Sequence, residues 1–79
     1  LRRLRESGET AVEELAPQEK RVFELIGEGL SNREIAEAMY VAEKTVKNYV
    51  TSLFQKLGMA RRTEAAAFAA RLSERRRNQ

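Results

Sequence analysis

The chain has 79 residues, 42% hydrophobic and 34% charged, with a formal net charge of +3. A domain of this length buries only about 60% of its unfolded surface, yet it is too apolar for a disordered tail and too charged for a membrane span. Cysteine and histidine are both absent, which removes disulfides, thiolate ligands, thiol nucleophiles and the commonest metal ligand and general base, and argues against most enzyme chemistry.

Residues 1–14, "LRRLRESGETAVEE", mix charges around a Ser-Gly break without a sustained period and read as a linker or lead-in. No apolar block follows the arginines to make a signal peptide, and no run in the chain approaches the roughly 20 apolar residues a bilayer requires. A cytoplasmic, globular domain is expected. A chain that opens on Leu rather than Met is expected to be a piece of a longer protein or a processed one.

From Leu15 the pattern is helical. In "LAPQEKRVFELIGEGL" the proline falls where a first turn tolerates it, and Val22, Phe23, Ile26 and Leu30 recur at helical spacing before Gly29 closes a helix over about residues 17–28. "SNREIAEAM" then places Ser31 and Glu34 at capping-box spacing, with Ile35, Ala36 and Met39 inward. After the joint "YVA", a third helix is predicted over 43–57, with Val46, Val50, Leu53 and Leu57 inward and Gly58 as its stop. The fourth, "RTEAAAFAARLSERRR", is rich in helix formers and frays into a basic tail. The predicted organisation is a lead-in over 1–14, a folded domain over 15–73 and a tail over 74–79, all-α, with four helices. Glu34 and Glu37, three apart on a short amphipathic helix, read as solvated side chains and not as a carboxylate pair for catalysis.

The charge is unevenly spread. Residues 1–43 carry six Lys/Arg and ten Glu, net −4, and residues 44–79 carry nine Lys/Arg and two Glu, net +7. Such polarity suits a polyanion binder, although a solvated basic surface is the commoner reason for lysine and arginine. The basic half opens with the third helix. At about 100° per residue, with Lys44 at zero, Lys47 falls near 300°, Asn48 near 40° and Thr51 near 340°, while Val46, Val50, Leu53 and Leu57 fall between about 180° and 240°. One face is apolar and the opposite face carries lysine, asparagine and threonine.

A capped short helix, a three-residue joint and a longer helix with a basic outer face form the layout of a helix-turn-helix, whose second member lies in the major groove of DNA. The residue types suit that role, since Lys44 and Lys47 can donate to guanine O6 and N7, Asn48 can pair two-fold with adenine, and Thr51 can meet a base edge. The start of the short helix, Ser31 and Asn32, could seat on a phosphate.

Residues 15–69, through Glu19, "EGLSNREIA", "KTVKNYV", "KLG" and "RTEAA" in this order and spacing, resemble the LuxR/NarL (GerE-type) DNA-binding domain, and "AEKTVKNYV" with "LGMARRTEAA" is most similar to its DevR/DosR-like response regulators. The resemblance implies a four-helix helix-turn-helix bundle. It also implies the C-terminal output domain of a bacterial transcriptional regulator, preceded by a receiver or ligand-binding domain absent from this chain, which binds double-stranded DNA as a homodimer without any cofactor. Lys44, Lys47, Asn48 and Thr51 match base-reading positions. Ser31, Asn32, Thr45, Tyr49 and Arg62 match positions that hold the DNA backbone. The fourth helix matches the element through which two domains pair, and its Ala67, Phe68, Ala70 and Arg71, lying partly off the core stripe, are the expected dimer seam. Glu19 is expected to tie the first helix to the third. The sequence departs from the family pattern at Ala16 and Ala42, where a capping Ser or Thr is usual, and at Gly27, where alanine is usual; each change weakens a helix by about 1 kcal/mol. The rival reading is a small helical protein–protein interaction module whose basic face is merely solvated.

Overall fold

The computed structural model describes residues 11–77. Four helices follow one another, α1 (Pro17–Gly27), α2 (Asn32–Met39), α3 (Glu43–Leu57) and α4 (Arg62–Arg77), and a turn of helix at residues 11–13 precedes them. Among the described residues there is no strand, and no helix is long and apolar enough to cross a membrane. Residues 1–10 of the expected lead-in and residues 78–79 of the expected tail lie outside the described residues.

Three of the four helices open on the same device. The carboxylate of the third helical residue turns back to the amide ahead of the helix: Glu19 accepts from the Ala16 N–H at 3.0 Å, Glu34 from the Ser31 N–H at 2.8 Å, and Glu64 from the Arg61 N–H at 3.1 Å. At α2 the box closes in both directions, because the Ser31 hydroxyl accepts from the Glu34 N–H at 3.2 Å. Glu34 is thereby held below the usual carboxylate range, chiefly by the Ser31 amide. α3 has no such support. Ala42 offers no side-chain cap, and the Thr45 and Val46 amides donate only to the Ala42 carbonyl, at 3.0 and 3.2 Å.

The helix ends are equally uniform. α1, α2 and α3 each finish in a Schellman motif, with a six-to-one bond from Leu30 to Leu25, Val41 to Ala36 and Met59 to Phe54, at 3.2, 3.1 and 3.0 Å. Leu30, Val41 and Met59, the residues just past each end, fold back onto the core. The left-handed residue each motif requires is Gly29 (φ 88°) after α1, Gly58 (φ 68°) after α3 and Tyr40 (φ 59°) after α2.

α1 lies at the centre of the packing, against α4, α3 and α2, while α2 and α3 pack on each other. The buried core comprises Val22, Phe23, Ile26, Ile35, Ala36, Val46 and Leu53, which helical spacing turns inward, together with Val12, Leu15, Leu25, Ala65 and Ala69. Leu30, Met39, Val41, Val50, Leu57 and Leu72 are half-buried against it. Val12 lies within the segment read as a lead-in. A helical turn seats it, and its carbonyl accepts from the Leu15 N–H at 3.2 Å.

Gly27 proves to be a packing requirement. A Cβ at this position would stand 2.6 Å from the Ala69 Cβ, far inside van der Waals contact, so its absence lets α1 and α4 approach closely. Gly27→Ala is expected to destabilise the domain by about 1–2 kcal/mol, overpacking outweighing the gain in helix propensity. Adding Ala69→Gly should recover most of that loss in thermal unfolding; a Gly27→Ala domain as stable as the parent would contradict the close approach.

Candidate nucleic-acid interface

α3 is positioned from its far end. Glu19, only 6% exposed, accepts hydrogen bonds from the Ser52 hydroxyl, from Lys56 Nζ at 2.8 Å and from the Ala16 N–H. One carboxylate thus caps α1 and grips the last two turns of α3. The Lys56 ammonium and the Ser52 hydroxyl are the main reasons that its pKa falls to about 2. This is the tie between the first and third helices that the family pattern implies.

With that end fixed and Val46 and Leu53 buried, the rotation of α3 is set. Lys44, Lys47, Asn48 and Thr51 are all exposed along one side of the helix, and Thr45 and Tyr49 are half-buried at its margins. Among the described residues, no side-chain hydrogen bond or ion pair engages Lys44, Lys47 or Asn48. The Thr51 hydroxyl donates to the Lys47 carbonyl at 3.0 Å, which leaves the methyl group and an oxygen lone pair for any outside contact. Two ammonium groups and a carboxamide with free donors on one helical face can neutralise phosphates and read base edges.

The other expected DNA-backbone residues are less free. Arg62, half-buried at the start of α4, donates to the Asn32 side-chain oxygen at 2.6 Å and to the Leu30 carbonyl at 2.7 Å. The structure therefore brings two of these residues together in an internal tie between α4 and the start of α2. What they can still offer a phosphate is the Asn32 amide nitrogen and the remaining guanidinium donors. Ser31 is exposed, its oxygen engaged in the cap.

On α4, Ala67, Ala70 and Arg71 are exposed. Phe68 is half-buried, its ring in a T-shaped pair with Phe23, centroids 5.8 Å apart and planes at 64°. The large anchor expected at the seam is thus partly committed to the domain's own core. Sequence reasoning passed over Tyr40, which is 95% exposed; the absence of glycine at the end of α2, where α1 and α3 both have it, is the signal that could have found it.

Residues 13–69 match the family described as "Bacterial regulatory proteins, luxR family". The chain is 57% identical over 58 residues to the DNA-binding transcriptional activator DevR/DosR of Mycobacterium tuberculosis, an alignment covering 73% of this chain and 27% of that protein. It is 44% identical over 73 residues to the transcriptional regulatory protein LiaR of Bacillus subtilis, covering 90% and 35%, and 47% identical over 51 residues to the transcriptional regulatory protein DegU of Brevibacillus brevis, covering 65% and 22%. The chain spans roughly a quarter to a third of the length of these relatives. Four helices in this order, a capped α2 ahead of an α3 gripped by Glu19, and a family match across all but the ends together identify the chain as a member of the luxR family of bacterial regulatory proteins.

Proposed function

We propose that this domain binds double-stranded DNA sequence-specifically as the output domain of a bacterial transcriptional regulator, inserting residues 43–51 into the major groove. The observation that carries the reading is the exposed row of Lys44, Lys47, Asn48 and Thr51, the side chains of the first three unpartnered among the described residues, on a helix whose opposite face is buried. In this reading the N-terminus of α2, which packs against α3, sits over the DNA backbone, with Ser31, Asn32, Thr45, Tyr49 and Arg62 as the phosphate-side residues. Two copies pair through α4 about Ala67, Ala70 and Arg71, with Phe68 contributing its exposed part, and address two half-sites about one helical turn apart. A receiver or ligand-binding domain upstream completes the regulator, in keeping with the greater length of the transcriptional regulators it resembles.

Selection of duplexes from a random pool, followed by titration of the best one at several salt concentrations, tests the reading. The expected result is a consensus of two related half-sites and an affinity that falls steeply with log salt. An affinity nearly flat with salt would favour the interaction-module reading instead. Ala70→Glu, at an exposed position, should convert two-copy binding into single-copy binding; unaltered cooperative binding would remove α4 as the seam.

A further inference from the structure

Tyr40 occupies a position that the rest of the fold assigns to glycine. The Schellman motifs ending α1 and α3 put Gly29 and Gly58 in the left-handed region, where a side chain is disfavoured. The motif ending α2 has the same bonds, Tyr40 N–H to the Glu37 carbonyl at 3.4 Å and Val41 N–H to the Ala36 carbonyl at 3.1 Å, yet carries a tyrosine at φ 59°, ψ 43°. It is the one non-glycine residue with positive φ among those described. Among the described residues nothing compensates. The side chain is 95% exposed, the sole large hydrophobic so exposed among the described residues, and its phenol has no hydrogen-bond partner there. A bulky group held at a disfavoured backbone position without packing points to a contact outside the chain.

Its place in the chain says what that contact is. Tyr40 stands two residues ahead of Ala42, the residue that leads into α3, and four ahead of the exposed Lys44. A helix is about 10–12 Å across and the major groove about 12 Å wide, so a helix lying in the groove fills it, and the segment entering that helix must pass over the groove wall. That wall is sugar and phosphate. A phenol suits both, its hydroxyl donating to a phosphate oxygen and its ring lying on deoxyribose.

We infer that Tyr40 is a DNA-backbone contact at the entrance of α3, bonding phosphate through its hydroxyl and sugar through its ring. This rests on the DNA-binding reading above. It is tested with this chain and its selected duplex by anisotropy titration, beside a scrambled duplex, together with thermal unfolding of Tyr40→Gly and Tyr40→Phe. Tyr40→Gly should raise the melting temperature by about 4 °C and nonetheless weaken binding about ten-fold. Tyr40→Phe should leave stability unchanged and weaken both duplexes by the same factor, about three-fold.

A Tyr40→Gly domain that binds as tightly as the parent overturns the inference and leaves the ring to a protein partner. So does one that is less stable than the parent, since the side chain would then serve the fold. A loss confined to the selected duplex overturns the backbone assignment. If the parent chain binds no duplex at low salt, the DNA-binding reading itself falls; if Lys47→Ala weakens binding and Tyr40→Gly does not, only the inference about Tyr40 falls.

Discussion

Replacing Glu19 with glutamine is expected to lower the stability of the domain at pH 7 by about 2 kcal/mol and to abolish most of its acid sensitivity between pH 5 and 2. The carboxylate is nearly inaccessible and is surrounded by the Ser52 hydroxyl, the Lys56 ammonium and the Ala16 amide, which hold its pKa at about 2 against an ordinary 4.5. Because the folded-state value is depressed, the stabilisation is fully present above the unfolded value and is lost as pH falls towards the folded one. A shift of this size corresponds to about 3 kcal/mol at 1.36 kcal/mol per unit; the half-exposed Lys56 ammonium is partly screened by water, which brings the expected figure to about 2. Glutamine keeps one acceptor oxygen for the Ala16 amide but turns an NH2 towards Ser52, whose hydroxyl must then accept, and loses the charge that Lys56 meets. Alanine, which also removes the support of α1, should cost about 3–4 kcal/mol, a large share of the stability of so small a domain. The check is thermal or urea unfolding of the parent and both variants across that pH range. Parallel pH profiles for the parent and the Glu19→Gln domain would refute the account.

Changing Lys44, Lys47 and Asn48 together to alanine is expected to weaken binding to the best selected duplex by at least about 100-fold while leaving the fold intact. Each side chain is exposed and engages no partner among the described residues, so its removal should alter stability by no more than about 0.5 kcal/mol. On DNA, each should contribute about 1–3 kcal/mol if it reads a base, and each lysine bound to phosphate should account for about one unit of the salt slope. The triple variant should therefore bind more weakly, discriminate less and respond less to salt. Unchanged affinity for the best duplex, with unchanged unfolding, would end the assignment of this helical face.

Local periodicity made much of this legible. The bounds of α3, the start of α4, the capping box at Ser31 and Glu34, and the glycine stops after α1 and α3 all follow from patterns contained within a few residues of sequence, whereas α4 continues to Arg77, into the segment read as a tail. The exposure of Lys44, Lys47, Asn48 and Thr51 follows too, since burying Val46 and Leu53 fixes the opposite face. What escaped were features set by contacts between distant residues. Gly27 looked like a weak point in a helix until Ala69, more than forty residues later, was found against it. Asn32 and Arg62 looked like two separate phosphate contacts until they were seen bonded to each other. Phe68 looked like a free anchor because nothing in its own helix announces Phe23. Val12 belongs to too short a helical turn to show a period.

α3 is gripped by Glu19 in its final turns and opens on Ala42 with backbone bonds alone. Stiffness therefore grades along the rod, from a braced shank to a compliant tip, and Lys44 rides on the tip. If this face reads DNA as proposed, a head built this way lets its leading edge conform to the double helix, while the shank fixes its angle of approach.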